Sequence, residues 1–427
     1  MNADPNPTSS RTNGPAWVFA IAAASSLAAQ SEQRIALAAS APLQSALGPV
    51  ASTILINLLL GILVAVAVPW FEVVVPRRKV LVTGIAVVGA STAAAVAFDT
   101  GGHFELIPII VLTLAATLAR FLSVMGDVSY VGLLSHEERV RRYFFKYFGG
   151  GTAVLLLQGM AVFSRNLFGR GAVVRDLLGA GVALVLLAAL LWRILPDFAE
   201  RDSPSPRTSW RTAVLGAIDE LRRLELLWPA VAVFALLPVP TEALRQAART
   251  MLWESPGNGG LSLNSVDIGT IFGVWASFAS LAGLLGGWFA LRRVSPERLV
   301  RASIALSTVG VLTWWALFIS RQTGLLWVTF AACLDALCQG FVGVIVLILA
   351  MKVFGSLRHY ATGYVWLVAL AELLYALARP LAEWSNYKLG IATTIQVFAI
   401  ATVIVATMCV ALWSGTRGAE RRGRSDG

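Results

Sequence analysis

Residues 261–301 read LSLNSVDIGTIFGVWASFASLAGLLGGWFALRRVSPERLVR, and the rest of the chain repeats variations of this pattern. A short polar segment, SLNSVDIG, leads into an apolar run long enough to cross ~30 Å of hydrocarbon as a helix. Gly283, Gly286 and Gly287 end that run, a basic turn follows, and a second apolar run begins at once. The pattern predicts a hairpin of two membrane helices, with the glycines where the helices approach closely.

The composition of the whole chain agrees with a membrane protein. Of 427 residues, 57% are hydrophobic and 14% are charged, whereas a soluble domain carries about 25% charged residues. The net charge of +10 comes mainly from Lys and Arg in short loops between apolar runs. That placement is typical of membrane orientation, so we do not expect nucleic-acid binding.

Cysteine and histidine do not form a catalytic or metal-binding pattern. Cys333, Cys338 and Cys409 lie inside apolar runs without a CxxC motif, which favours small buried hydrophobic residues. The three histidines fall in or beside predicted loops and do not cluster. An intramembrane enzyme would need a nucleophile and a base at membrane depth. We therefore expect no enzyme activity, no metal and no cofactor.

Twelve apolar runs divide the chain into two sets of six around a hydrophilic linker at 197–226. The predicted helices lie near 15–37, 49–70, 79–98, 106–128, 147–164, 174–196, 227–249, 265–291, 299–320, 324–352, 360–384 and 391–413. The predicted domains are an N-terminal tail at 1–14, six-helix bundles at 15–196 and 227–414, and a basic tail at 415–427. The fold class is thus an all-α membrane protein with twelve transmembrane helices.

Loop charges predict the orientation of these helices. Basic residues follow the even-numbered helices, for example Arg77 and Arg78 after the second and Arg292 and Arg293 after the eighth. The loops after odd-numbered helices carry few, except for the loop between the fifth and sixth. The linker and both tails should therefore be cytoplasmic, in a bacterial inner membrane.

The two halves also resemble each other. Trp70-Phe71 precedes the basic turn VPRRK, and Trp288-Phe289 precedes LRRVSPER at the same place in the second half. Coincidence is the alternative, because aromatic residues favour membrane interfaces. Helix count, linker position and loop charge favour internal duplication.

This architecture resembles the major facilitator superfamily, in which two six-helix bundles rock around a central site. GGWFALRRVSPERL is similar to the signature that this superfamily places between helices eight and nine, and PWFEVVVPRRKV is a weaker copy between helices two and three. The resemblance implies a secondary transporter that works by alternating access, with a small-molecule substrate and a proton as partners, as a monomer in the lipid bilayer.

The second half is most similar to the muropeptide-permease and acetyl-coenzyme A transporter branch. The matching stretches are LSLNSVDIGTIFGV, GGWFA, Asp335 with Gln339-Gly340, and ATGYVWLVALAELLYALARPLAEW. This branch implies an anionic or amphipathic substrate such as a cell-wall fragment. Siderophore uptake and drug or metabolite efflux are alternatives, and a membrane protein without transport activity is a further one.

Carboxylates inside the apolar helices are the candidates for proton coupling. Such groups are costly in lipid and usually face a cavity or a partner. At ~1.5 Å per residue, Asp335 and Glu372 lie roughly 16–18 Å along their helices, near the membrane midplane. A carboxylate at that depth needs a basic partner or a proton, so we predict that these two residues couple transport to protons.

Charged groups on other faces are predicted to bind the substrate. Arginine can hold an anionic group through charge-assisted hydrogen bonds. In the seventh helix, a polar face lies below a break expected at Pro238 and Pro240. The substrate-binding candidates are Arg120, Glu242, Arg245 and Arg379.

Several of these charged and aromatic residues also have structural interpretations. Arg120 could instead pair with an acidic group to hold the bundles together, and Arg249 is expected at the membrane interface. Four aromatic residues could stack on a substrate or simply pack, namely Trp275, Tyr364, Trp366 and Tyr375.

Overall fold

The computed structural model describes residues 77–97, 172–194, 227–322, 324–354 and 360–425. It also describes isolated positions in the first half, namely 20, 23, 111, 114, 115, 118, 119, 122, 145, 149, 215, 216, 219, 222 and 223. Within these residues the secondary structure consists of helices, turns and short loops, with no strand. The prediction of an all-α protein is confirmed.

Eight long helices lie in the described residues, and each matches a predicted run. They are α1 (Arg77–Ala97), α2 (Ala172–Ile194), α3 (Leu227–Trp253), α4 (Ser265–Thr270, Ile271–Trp275 and Ala276–Arg293 in succession), α5 (Pro296–Ile319), α6 (Leu325–Phe354), α7 (Tyr360–Leu389) and α8 (Ile391–Ser425). They correspond to the third, the sixth and the seventh to twelfth predicted helices. The largest difference is at the end of α8, which continues as a helix through most of the basic tail.

Five of the described helices are long and apolar enough to cross a membrane. Their membrane-compatible spans are Leu227–Trp253, Val266–Arg293, Glu297–Ile319, Leu325–Gly343 and Ile391–Ser414. At 19 to 28 residues, these spans are roughly 28–42 Å long, sufficient for ~30 Å of hydrocarbon. Four predicted helices of the first half, at 15–70 and 106–164, lie almost entirely outside the described residues.

The regular hydrogen bonding of α3 changes at the expected proline break, although the membrane span continues through it. Proline lacks the N–H that would bond to the preceding turn, and its ring crowds that turn. Here a π-helical segment, Ala232–Leu236, precedes Pro238 and widens the turn. The Thr241 hydroxyl then donates to the carbonyl oxygens of Leu237 and Pro238, both at 3.0 Å. The threonine side chain thus adds hydrogen bonds to the helix at the two residues that follow the π-helical segment.

The glycines near the end of α4 serve a different helix pair from the one predicted. Helix α4 packs extensively against α6 and makes few contacts with α5, its neighbour in the predicted hairpin. A Cβ added at Gly283 would overlap the Leu337 carbonyl oxygen, and one at Gly340 of α6 would overlap the Ser280 carbonyl oxygen. Gly286 has room for a Cβ. The close approach was predicted correctly, but its partner was wrong.

The described pair in the first half packs through glycine in the same way. A Cβ at Gly89 of α1 would lie 2.6 Å from the Gly181 carbonyl oxygen of α2, and one at Gly181 would lie 2.8 Å from the Gly89 carbonyl oxygen. Helices α5 and α8 also contact each other. The third predicted helix thus contacts the sixth, and the ninth contacts the twelfth, as an internal duplication would require.

Helix α3 is the most enclosed of the five membrane spans. Of an 18-residue apolar stretch within α3, 67% is buried inside the protein, whereas the corresponding stretches of the other four spans are 28–39% buried. The other helices expose apolar faces suited to lipid, such as Val397, Ile400 and Ile404 on α8. Glu242 and Arg245 of α3 therefore lie inside the protein, where neighbouring helices can provide partners.

The segment between α3 and α4 folds back over one end of this half. The backbone N–H groups of Leu261 and Leu263 donate to carbonyl oxygens in the last turn of α3, both at 2.8 Å. Their side chains pack on the cluster that includes Met251 and Trp314. Asn264 then begins α4, because its side chain accepts from the Asp267 N–H at 2.8 Å. In the segment SLNSVDIG, Asn264 thus caps α4, while Leu263 packs on the apolar cluster.

Candidate functional site

Arg245 of α3 and Asp335 of α6 form a buried ion pair. Arg245 Nε donates to Asp335 Oδ2 at 2.9 Å and to Oδ1 at 3.2 Å, and Nη2 donates to Oδ1 at 3.0 Å. The side chains are 10% and 6% exposed, respectively. A guanidinium that faces a carboxylate along one edge is among the strongest hydrogen-bonding geometries. Each charge thereby avoids the cost of being buried alone.

The helices place this pair at one level of the bundle. Arg245 lies roughly 12 Å before the end of α3 at Trp253, and Asp335 lies roughly 15 Å after the start of α6 at Leu325. Gly310 lets α5 approach the same point, since a Cβ there would lie 3.3 Å from the Asp335 Cα. Three helices therefore meet at the carboxylate.

Two further donors complete the surroundings of Asp335. Trp314, one turn after Gly310 on α5, donates its indole N–H to Asp335 Oδ2 at 3.2 Å. Gln339, one turn along α6, donates its amide to the same oxygen at 3.1 Å. The Asp335 carboxylate thus accepts hydrogen bonds from three side chains, which hold it in one orientation.

Glu242 forms a second, looser group of charges on α3. Its Oε2 lies 3.4 Å from Arg245 Nη1, and its Oε1 lies 3.6 Å from Arg249 Nη1. Spacings of three and seven residues put these three side chains on one helical face. The Tyr375 hydroxyl of α7 also interacts with the Glu242 carboxylate. The side chain of Arg249 is 48% exposed, so this end of the cluster is open, whereas the Asp335 end is enclosed.

Aromatic rings join the two ends of the cluster. The Arg249 guanidinium carbon lies 5.9 Å from the centre of the Phe272 ring, within the range of a cation–π contact. Phe272 stacks on Trp314, with ring centres 6.0 Å apart and planes 14° apart. Phe272 belongs to the π-helical segment Ile271–Trp275 of α4, and such segments are frequent at functional sites. The charges therefore contact an irregular turn of α4.

The structure brings together three of the predicted site residues. Asp335, predicted for protons, and Arg245, predicted for substrate, are direct partners, and Glu242 contacts Arg245. Glu372 and Arg379 lie on α7, but their side chains lie outside the described residues, and so does the whole of Arg120. Arg245 and Asp335, for which different roles were predicted, are therefore the two members of one ion pair.

Sequence reasoning missed the residues that connect these charges. Trp314 and Phe272 carry no charge, so a search for charged residues in apolar helices does not find them. The indication for Trp314 was that a tryptophan deep in an apolar helix needs an acceptor for its N–H. Arg249 was expected to be interfacial. Its guanidinium contacts Glu242 and Phe272, although nearly half of the side chain is exposed.

The basic turn after α4 has its own aromatic contact. The Arg292 guanidinium carbon lies 3.8 Å from the centre of the Trp288 ring, and the rings of Trp288 and Phe289 meet edge to face with centres 5.0 Å apart. The residues of the predicted signature are therefore packed together at the end of the helix.

Comparisons with known proteins bear on the fold. No family model and no curated protein matches the sequence. The fold is similar to that of the major facilitator superfamily proton:xylose symporter XylE bound to 6-bromo-6-deoxy-D-glucose. The TM-score is 0.62 at 12% identity, over 92% of this chain and 94% of that one. It is also similar to the E. coli fucose:proton symporter FucP, with a TM-score of 0.63 at 14% identity over 93% of this chain and 98% of that one. The chain therefore has the fold of the major facilitator superfamily.

Proposed function

We propose that this protein is a secondary active transporter that moves a small anionic or amphipathic solute across the bacterial inner membrane, coupled to protons. The fold is one in which two bundles alternate access to a central site. The two similar structures are described as proton symporters, which supports an ion gradient as the energy source.

The buried charge cluster is the observation that carries the proposal. Arg245, Glu242 and Asp335 are buried together among mostly apolar side chains, and the half-exposed Arg249 lies at one end of the group. Ionisable groups in membrane helices are costly and usually mark substrate or ion pathways. Lipid packing alone would not require two arginines and two carboxylates at this depth.

The arginines favour an anionic substrate. A guanidinium that already balances a carboxylate can bind a substrate carboxylate or phosphate when that balance changes. Arg120, Glu242, Arg245 and Arg379 are the proposed substrate-binding residues, and the similarity of the second half supports a muropeptide-like solute. The sequence makes Asp335 and Glu372 the candidates for the proton carrier, and Glu242 becomes a third candidate because it contacts both Arg245 and Arg249.

Ligand-induced stabilisation of the purified full-length protein tests the substrate class. The probes are an anhydromuropeptide, an iron-loaded siderophore and a lipophilic cation. A ligand at a hundred times its dissociation constant stabilises the folded state by about 2.7 kcal/mol. We expect the anhydromuropeptide to raise the unfolding temperature. A shift with the siderophore or the cation alone would assign one of the alternative substrates.

Uptake into proteoliposomes tests the coupling. The stabilising ligand should accumulate when the outside is acidic and should only equilibrate when a protonophore removes the gradient. Arg321→Gln, in the exposed turn between α5 and α6, serves as a control that changes a charge away from the cluster. Equal accumulation with and without the proton gradient would refute proton coupling.

A further inference from the structure

The two carboxylates of the cluster differ in how they are bound. Asp335 is held at 2.9–3.2 Å by Arg245, Trp314 and Gln339. Arg245 and Trp314 can only donate hydrogen bonds. A proton on Asp335 would have to share the carboxyl group with these donors, while the buried Arg245 would lose its main counter-charge. The surroundings of Asp335 suit a permanent carboxylate.

Glu242 has surroundings that suit both protonation states. Its contacts with Arg245 and Arg249 are longer, at 3.4 and 3.6 Å. Its third partner is the hydroxyl of Tyr375, which can donate to a carboxylate or accept from a protonated carboxyl. Loss of the negative charge would leave Arg245 paired with Asp335, and Arg249 is exposed enough to find water or another anion.

We propose that Glu242 is the carboxylate that takes up the coupling proton, and that its protonation releases Arg249 to an anionic group of the substrate. This inference rests on the proposed function and specifies its residues. A proton from water binds one Glu242 oxygen, the carboxylate becomes a neutral carboxyl, and its new O–H donates to the Tyr375 hydroxyl oxygen. Asp335 remains ionised and is a positioning residue that holds Arg245.

Charge balance links the proton to the anion. With all four groups ionised, the two arginines and the two carboxylates sum to zero. Protonation of Glu242 leaves these four groups with one unbalanced positive charge, at Arg249, which lies over Phe272 at the open end of the cluster. A substrate anion would restore neutrality, so proton and anion each favour the binding of the other, as linkage requires.

Other helices packed against α3 also carry titratable groups. Helix α7 brings Tyr375 and carries Glu383 two turns further on, and the side chains of its Glu372 and Arg379 lie outside the described residues. Helix α4 carries Asp267 in its first turn, the charges of α5 lie in its first two turns, and residues 391–414 of α8 contain no charged residue. The described contacts of Glu242 are with Arg245, Arg249 and Tyr375.

Infrared difference spectroscopy between alkaline and acidic buffer tests the proton site without a substrate. A buried carboxyl that gains a proton should give a C=O band in the wild type, distinct from the bands of solvated carboxyls. We expect Glu242→Gln to remove this band and Asp335→Asn to keep it. Glu254→Gln, outside the span at the end of α3, should change only solvated bands. Loss of the band in Asp335→Asn with retention in Glu242→Gln, or its absence from the wild type, would overturn the assignment.

Two variants keep the test decisive if Asp335→Asn does not fold. The double variant Arg245→Gln/Asp335→Asn removes both members of the pair and should retain the band. Tyr375→Phe removes the hydroxyl that accepts from the carboxyl and should shift the frequency of the band without abolishing it. An unchanged frequency would contradict the role of Tyr375 and with it the proposed proton site.

A binding measurement tests the release of Arg249, with the anhydromuropeptide as the anionic probe. Wild-type affinity should rise on acidification, Glu242→Gln should bind independently of pH, and Arg249→Gln should lose most of the affinity. PH-dependent binding that persists in Glu242→Gln would refute the coupling through Glu242. Failure of wild-type uptake would instead refute the proposed transport function, because the infrared band does not depend on transport.

Discussion

Replacing Asp335 with asparagine should strongly destabilise the second half of the protein. Asparagine keeps the shape of the side chain and one acceptor oxygen, so Trp314 or Gln339 can still donate to it. It cannot balance the charge of Arg245, whose side chain is 10% exposed and depends on Asp335 for its shortest contacts. The main effect is therefore a buried cation left with only its longer contact to Glu242, at 3.4 Å, and no large cavity forms.

The structure allows a magnitude for this effect. Removing one member of a buried ion pair costs about 3–5 kcal/mol, whereas replacing both with apolar residues of similar size is often neutral or stabilising. Glu242→Gln should cost only about 1 kcal/mol, in the range of one ordinary hydrogen bond. Its contacts are longer, and Arg245 retains Asp335 while Arg249 can be hydrated. The expected order of stability is wild type, then Glu242→Gln, then Asp335→Asn.

Reversible unfolding in mixed micelles measures these differences. The free energy of unfolding should fall by several kcal/mol in Asp335→Asn and should be largely restored in the double variant Arg245→Met/Asp335→Leu. A loss below ~1 kcal/mol in the single variant would mean that water reaches Arg245, since exposed pairs contribute that little. If the double variant were less stable than either single variant, the loss in Asp335→Asn could not be assigned to the unbalanced charge of Arg245 alone.

Three other predictions address packing, capping and topology. Gly283→Ala should lower the free energy of unfolding by about 1–3 kcal/mol, because the added methyl group overlaps α6. Gly286→Ala is the control and should not lower it, since Gly286 has room for a Cβ. Equal effects of the two substitutions would refute the α4–α6 contact. Asn264→Ala should lower the free energy of unfolding by about 0.5–2 kcal/mol, because it removes the cap of α4. Asn264→Ser keeps a capping oxygen and should retain most of the wild-type stability. Two equally unstable variants would show that the cap contributes nothing. A reporter enzyme fused after Gly427 should be active in the cytoplasm, and a periplasmic signal would contradict the predicted helix count.

Much of the helical architecture could be predicted from the order of residues. An apolar run of this length must bond its backbone internally in lipid, and a helix does so within one segment. The positions of α1 to α8 therefore follow from local composition, as does the close approach at Gly283. Pro238 indicated where the regular helix is interrupted, but not that a π-helical segment would continue the span there.

The site could be predicted only in part. Charges inside apolar runs identified Asp335, Arg245 and Glu242, because their cost in lipid does not depend on the fold. Their partners could not be found in this way, since the two members of the ion pair are 90 positions apart in sequence. Trp314 and Phe272 are apolar by composition, so their role becomes visible only from what they contact.

The order of residues is enough to predict a helical membrane protein with costly charges inside it, because both properties depend on the transfer of each segment from water to lipid. Which helices meet, and how the charges are balanced, follows from the packing of the folded chain. Two helices, α3 and α6, bring Arg245 to Asp335 and leave Glu242 with longer contacts. Asp335 is held by three side chains at 2.9–3.2 Å, whereas the contacts of Glu242 with the two arginines are 3.4 and 3.6 Å long. Such differences arise from packing between helices that are distant in sequence.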